Sequence, residues 1–426
     1  MKEQWNVPDR WYVSPYNFAE EVRSGYPNMP DKLTIRDVTL TEGQHQPGVR
    51  YPLDGMLKIA HALYEIGITE IKQGSQDFQA LEFITRVKRE IPKVKIGVIL
   101  SIVEGEQYRQ SVSRTRQDMD RYIDAGIDEV NFPCSLSWSC PKAISDVMSR
   151  EAQIERIVEM TQYAKSQGIR VEYGHVDTTR AAFEDLKELF DNGLKAGMTR
   201  IGVYDSYGVA SPDGMKCLVS KLRQEYPDVD ILVHAHNDFG SAEATTIGGI
   251  LGGGTTCELS VNGLGDRAGN ASLEEVVLQL EAFYGIKTGL KLEKLVNLCR
   301  LVEEVTGIKV HNYKPIAGEN VFTHESEAHA GFILQEGLNI KYASKSEAYS
   351  PEAVGGRRRV RFGAISLTGG MIKQRMDQLG LHYGEKEVKE ITNRIKDIFV
   401  GQQRDISLEE FDALAKEVCI RSAVAG

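Results

Sequence analysis

Eight times between residues 32 and 284, a short β-rich run is followed by a loop and then by a longer segment of helical character. The runs are Leu33–Leu40, Glu70–Gln73, Val94–Ser101, Glu129–Phe132, Arg170–Val176, Arg200–Asp205, Asp230–His236 and Thr256–Val261. Between them, Gly55–Ile66, Phe78–Glu90, Ala152–Ser166 and Asp185–Ala196 carry apolar residues at three- and four-residue intervals, which places one apolar stripe on each helix. This alternation predicts an α/β fold whose parallel sheet closes into a TIM (β/α)8 barrel; an open doubly wound sheet is the competing arrangement. The expected organisation is an N-terminal extension over 1–31, the catalytic barrel over 32–285 and C-terminal subdomains over 286–426. The last part reads as a mostly helical α+β extension that includes Leu292–Thr306, Glu385–Phe399 and Ser407–Val418.

A formal net charge of −10 repels polyanions and argues against nucleic acid as a partner. One basic run, Arg357-Arg358-Arg359-Val360-Arg361, stands against that balance. It reads as a solvated strand or turn, as an intersubunit contact, or as a site for phosphates or carboxylates. Met1 to Tyr12 carries charges and a proline where a signal peptide needs an apolar stretch, and no segment reaches the ~18 apolar residues of a membrane span. A cytoplasmic chain with no membrane partner is expected. The six cysteines form no C-x-x-C pair, which disfavours a disulfide framework and a thiolate zinc site, with Cys134 and Cys140 the pair to watch.

Chemistry concentrates at three strand ends. Val233-His234-Ala235-His236-Asn237-Asp238 closes the seventh run, and residues two apart on a strand share a face, so both imidazoles point the same way. Barrel active sites are built at the C-terminal ends of the strands, where paired imidazoles suit a divalent metal. Asp37-Val38-Thr39-Leu40-Thr41-Glu42-Gly43-Gln44-His45 leaves the first run into its loop and brings a carboxylate, Glu42. Hard oxygen beside imidazole favours Mg, Mn, Co or Zn. Asn262-Gly263-Leu264-Gly265-Asp266-Arg267-Ala268-Gly269-Asn270 follows the eighth run, and its three glycines let backbone approach a ligand closely. Closing the barrel makes strands one, seven and eight neighbours and predicts that the three motifs meet.

These runs resemble the metallolyase superfamily of isopropylmalate, homocitrate and citramalate synthases and hydroxymethylglutaryl-CoA lyase, over nearly the whole chain. The resemblance implies one divalent cation held by Glu42, His234, His236 and Asn270. It implies a Lewis-acid role for that ion on an α-keto acid, with an acyl-CoA, usually acetyl-CoA, as co-substrate. The segment from Gly318 to His329 is similar to the one that, in these synthases, brings a histidine into the partner subunit's site. A homodimer with shared active sites follows, with His329 as a catalytic residue and Tyr349 as a helper. Phe362–Leu379 is most similar to homocitrate synthases. Asp37, Gln44, Asp177, Arg180, Asp205 and Ser206 fall at family positions near the substrate, where each is a binding residue or a structural hydrogen-bonding group.

The chain departs from the family in the shell around the ligands. The family signature D-x-T-L-R-(D/E)-G carries arginine where this chain has Thr41, and a hydroxyl does not replace a guanidinium's fixed charge. The usual I-E-x-G at strand two reads Ile71-Lys72-Gln73-Gly74, strand five has Val176 before Asp177, and Leu232 stands where homocitrate synthases carry glutamate. One hypothesis moves the positive charge to Lys72 with His45 as a titratable group; the alternative pairs Lys72 with a local carboxylate. The leading expectation is a Claisen-type acyltransferase acting on small-molecule substrates. A metal-dependent carbon–carbon lyase and a noncatalytic metal-binding paralogue are the rivals.

Overall fold

The eight β-rich runs close into a ring. In the computed structural model, which describes residues 5–74, 77–102, 112–134, 149–340, 346–363 and 367–425, the barrel strands are β1 (Thr34–Asp37), β2 (Glu70–Gly74), β3 (Lys95–Ile99), β4 (Glu129–Cys134), β5 (Arg170–His175), β6 (Arg200–Asp205), β7 (Asp230–Ala235) and β8 (Thr256–Leu259). All neighbours are parallel, and β8 closes on β1 with Leu259 opposite Asp37. The expected barrel is therefore present, and β1, β7 and β8 lie side by side.

Residues at alternate positions of each strand face inward, and here many of those positions are charged. Arg36, Glu70, Lys72, Glu129, Glu172, Arg200 and Glu258 are all buried. Arg36 bridges Glu129 and Glu172, and Arg200 Nη1 lies 3.1 Å from Glu70 and 3.2 Å from Glu129. A barrel interior is ordinarily filled by branched apolar side chains. Three buried cations set among four buried carboxylates offset the desolvation of each, and removing one member strands its partners.

Two compact units divide the described chain. One spans 15–309, and the other joins the segment up to Ser14 with the segment from Val310 onward. The barrel unit thus runs past the expected boundary at 285, because the apolar stripe Leu295, Leu298, Cys299 and Val302 of helix Leu295–Thr306 is buried and the helix packs on Leu53–Ile66. The N-terminal strand pair Asn6–Val7 and Trp11–Tyr12 belongs to the second unit, where Trp11 bridges Tyr349. That unit holds a three-stranded sheet of β9 (Thr323–His324), β10 (Arg359–Phe362) and β11 (Ile406–Ser407). Its core stacks Phe362 on Phe411 of helix α2 (Leu408–Ala425), with ring centroids 3.9 Å apart. No helix among the described residues is long and apolar enough to cross a membrane. Cys134 is buried without a disulfide, and Cys140 lies outside the described residues.

Candidate metal centre

The segment after β1 was expected to be a loop and is instead a short helix, α1 (Thr39–His45). Asp37 starts it: its carboxylate accepts from the Thr39 backbone N–H at 3.0 Å and from the Thr39 hydroxyl at 2.7 Å. Burial pushes the Asp37 carboxyl up to about 7 against those two hydrogen bonds. Residues three apart on a helix share a side. Glu42 and His45 accordingly face the same way, with His45 Nδ1 3.7 Å from Glu42 Oε2 and 3.6 Å from Asp266. Thr41 turns to strand two and donates to the Lys72 carbonyl at 2.6 Å. Gly43 makes room for Tyr51, since a Cβ there would sit 2.2 Å from the tyrosine hydroxyl and push the ring aside.

His234 and His236 reach the same point from the end of β7. Their Nε2 atoms face each other at 3.2 Å, and Glu42 Oε2 lies 4.0 Å from His236 Nε2. Asn270 is brought in by the strand-eight loop, whose Gly269 adopts φ +92 with no room for a Cβ, which would lie 2.0 Å from the Gly263 carbonyl. The Asn270 side-chain nitrogen is 3.4 Å from His234 Nε2, and its oxygen is buried with no hydrogen-bond partner. Turning the amide by half a rotation exchanges the two atoms and presents the oxygen to the imidazoles. Glu42, His234 and His236 form a cluster whose donor atoms all lie within 4.8 Å of one another.

The donor set fits a divalent ion. His234 and His236 already hold their Nε2 atoms 3.2 Å apart, close enough for both nitrogens to bind one ion with bonds of ~2.1 Å. His234 Nδ1 meets Glu258 Oε2 at 2.8 Å, which orients the ring with Nε2 toward His236. Against burial, Glu258 and Glu42 raise its proton affinity, so an ion bound at Nε2 would displace a proton. Burial, aided by His234, pulls His236 down to about 4, so its ring is a neutral ligand at neutral pH. Burial opposes charge on Glu42, but His45 and the two imidazoles prevail and hold its carboxyl down to about 2.

Lys72 does not stand free beside the metal site. Its ammonium lies 2.6 Å from Glu258 Oε1 and 3.2 Å from Glu172 Oε1, both buried. The expectation that it supplies the missing arginine's charge directly gives way to the carboxylate-paired alternative. Its link to the metal ligands runs through Glu258. Gln44 donates to Asp77 at 2.8 Å. Asp205 accepts from Thr179, Val209 and Ala210 at 2.9–3.0 Å, and Ser206 accepts from the Asp177 N–H at 2.9 Å, so both organise loops. Asp177 holds φ 60, pairs with Arg180 at 2.7 Å and keeps one buried oxygen without a partner. Arg180 and Arg267 both lie over the Tyr207 ring, at 4.6 and 5.3 Å. His329 is exposed on the first turn of helix Glu327–Glu336, and Tyr349 packs edge-on against Phe322 at 5.6 Å, both in the second unit.

Sequence reasoning missed Glu258 and Glu172. The signal was available: a carboxylate in the middle of a strand that must be buried on both faces needs a partner.

Residues 32–302 match the family model described as HMGL-like, and residues 316–403 match the one described as homocitrate synthase post-HMGL domain-like. Among curated relatives, 2-isopropylmalate synthase of Sulfurisphaera tokodaii is 34% identical over 391 residues, covering 92% of this chain and 95% of its own. Homocitrate synthase of Methanothermobacter thermautotrophicus is 32% identical over 388 residues, covering 91% and 93%. Among solved structures, HMG-CoA lyase of Bacillus subtilis superposes with a TM-score of 0.57 at 21% identity, over 66% of this chain and 96% of that one. At that identity the likeness is one of fold.

Proposed function

Because the chain belongs to the HMGL-like family and carries a homocitrate synthase post-HMGL domain-like segment behind its barrel, we propose that it catalyses a divalent-metal-dependent Claisen-type condensation of an acyl-CoA, acetyl-CoA foremost, with a small α-keto acid. The observation that carries this reading is the convergence of Glu42, His234 and His236 at the ends of β1 and β7. The condensing direction is supported by length: the synthase relatives run in step with nearly the whole chain, whereas the lyase fold accounts for two thirds of it.

Glu42, His234, His236 and Asn270 would hold the ion. A divalent ion bound there supplies Lewis acidity to the carbonyl of a chelated keto acid, so that an acyl-CoA enolate can add to it. Glu258 keeps His234 in one tautomer and one orientation. Arg180 and Arg267, half-exposed and braced on Tyr207, are suited to a substrate carboxylate. With Thr41 tied to strand two, the charge that develops on the carbonyl has no guanidinium from α1 to meet it. The exposure of His329 supports the homodimer reading, in which it serves as acid or base for the partner's barrel.

Thiol release from acetyl-CoA, followed across a panel of α-keto acids in Mg and Mn buffers, tests the proposal. Release that requires both a keto acid and the metal, and that is abolished in His236→Ala, is the expected result. Release of acetyl-CoA or a keto acid from a hydroxy acid, with no condensation, would assign the lyase direction instead. Tight metal binding with no turnover either way would assign a noncatalytic role.

A further inference from the structure

The basic run of the second unit is built into a cavity of about 420 Å³ lined by Arg357, Arg358, Arg359, Arg361, Ser407 and Glu409, among others. Its construction follows from strand geometry. Side chains alternate along β10 and the residues leading into it, so 357, 359 and 361 are exposed while 358, 360 and 362 are buried. The buried set anchors the strand. Val360 and Phe362 enter the core, and Arg358 forks onto Glu347 at 2.9 and 2.8 Å and caps the Ile340 carbonyl at 2.8 Å. The exposed set is thereby held as a ladder of guanidiniums with a rung every ~6.7 Å.

Those three guanidiniums have no ion-pair or hydrogen-bond partner among the described residues. Elsewhere in the same unit, Arg375, Arg394, Arg404 and Arg421 each meet a carboxylate at 2.6–3.1 Å. Glu409 is the one acidic residue among those lining residues; Ser407 hydrogen-bonds it at the start of α2, and it and Glu410 feel Arg357 and Arg361 through space without closing an ion pair on either. The N-terminus of that 18-residue helix is already met by Glu409 and Glu410 in its first turn, so the positive character of the wall comes from the arginines. Three guanidiniums on one concave wall outnumber the one carboxylate in the lining, and the excess positive charge favours an anion between them.

We propose that this cavity is a binding site for a small, multiply charged oxyanion, one bearing two or more phosphate or carboxylate groups, gripped in fork geometry by Arg357, Arg359 and Arg361. The site lies within the second unit and does not depend on the reading of the barrel. The test is isothermal titration of the metal-loaded full chain, in excess Mg and low salt, with two probes. Adenosine 3′,5′-bisphosphate is the phosphate arm and propane-1,2,3-tricarboxylate the carboxylate arm. At least one probe should bind at a site that weakens roughly tenfold or more in Arg359→Gln/Arg361→Gln, and that is unchanged in the control Arg394→Gln. Any binding in the barrel persists in both variants and shows as a separate stoichiometry. The double variant, free of ligand, should melt at or above the wild-type midpoint because like charges have been removed, and the single variant Arg357→Gln repeats the test should it fail to fold. Identical titrations of wild type and double variant, or binding of neither probe, would overturn the proposal. A changed oligomeric state in the double variant without anion binding would overturn it too, in favour of a contact between copies.

Discussion

Glu258 holds His234 Nδ1 at 2.8 Å with one carboxylate oxygen and the Lys72 ammonium at 2.6 Å with the other. A carboxylate behind a metal-bound imidazole sets the tautomer and raises the basicity of the ligating nitrogen, and its loss typically weakens metal binding by roughly 10–100-fold. Glu258→Gln keeps the shape and can still accept from Nδ1, but it loses the charge. Metal titration of this variant should show weaker Mn binding with the fold intact. Wild-type affinity would mean that Glu258 is only a partner for Lys72.

Lys72 is the counter-ion that lets Glu258 and Glu172 remain ionised inside the barrel. Burial lowers the lysine's affinity for its proton, but the two glutamates more than restore it. Lys72→Met leaves Glu172 and Glu258 to share Arg36 as their nearest remaining cation, a loss of up to about 3–5 kcal/mol in chemical denaturation. Adding Glu258→Gln to Lys72→Met should recover part of the stability, because one stranded charge is removed. Additive losses in that double-mutant cycle would show that the two side chains act separately.

How much of this was legible in the sequence depends on which interaction decides each feature. The barrel was legible because β-rich runs and helix-compatible segments alternate eight times and closure follows from topology. His234 and His236 were legible as a pair from strand alternation, and barrel closure sets the segment after β1, which carries Glu42, beside them. The helical form of 39–45 was not, since it turns on Asp37 accepting hydrogen bonds from Thr39 just past the strand. Nor was the fate of Lys72. An inward lysine at a strand position is compatible with a free cation or a paired one, and the choice lies with Glu172 on β5 and Glu258 on β8, 100 and 186 residues away.

Acid lability should come in part from His175, buried on β5 with Nδ1 2.6 Å from the Val176 carbonyl oxygen. Burial pulls its pKa from 6.5 down to about 4, with Asp185 and Arg150 exerting smaller, opposed effects. The unfolded chain therefore binds a proton that the folded chain refuses, and stability rises with pH across this window. The contribution is complete above 6.5 and is lost as pH falls toward 4, about 3 kcal/mol at 1.36 kcal/mol per pH unit. His175→Gln should flatten urea-denaturation stability between pH 7 and pH 4.5, and an unchanged slope would place the acid lability elsewhere.

Asp37 works in the opposite direction. Its folded pKa is raised from 3.8 to about 7 by burial, so the folded chain holds a proton that the unfolded chain releases. Stability associated with this group is greatest below 3.8 and is lost as pH rises through 7, with about 4 kcal/mol as the upper bound. Asp37→Asn carries no charge to desolvate. It should gain on wild type in denaturant midpoint as pH is raised from 5 to 8, less the strength of the Thr39 hydrogen bonds that an amide makes more weakly. A buried carboxylate kept at that disadvantage, where α1 leaves β1, is what a site tuned for chemistry rather than stability contains. The same variant should lose turnover while binding metal normally, because Asp37 is not among the clustered donor atoms. Full activity with improved stability would reduce Asp37 to the residue that starts α1.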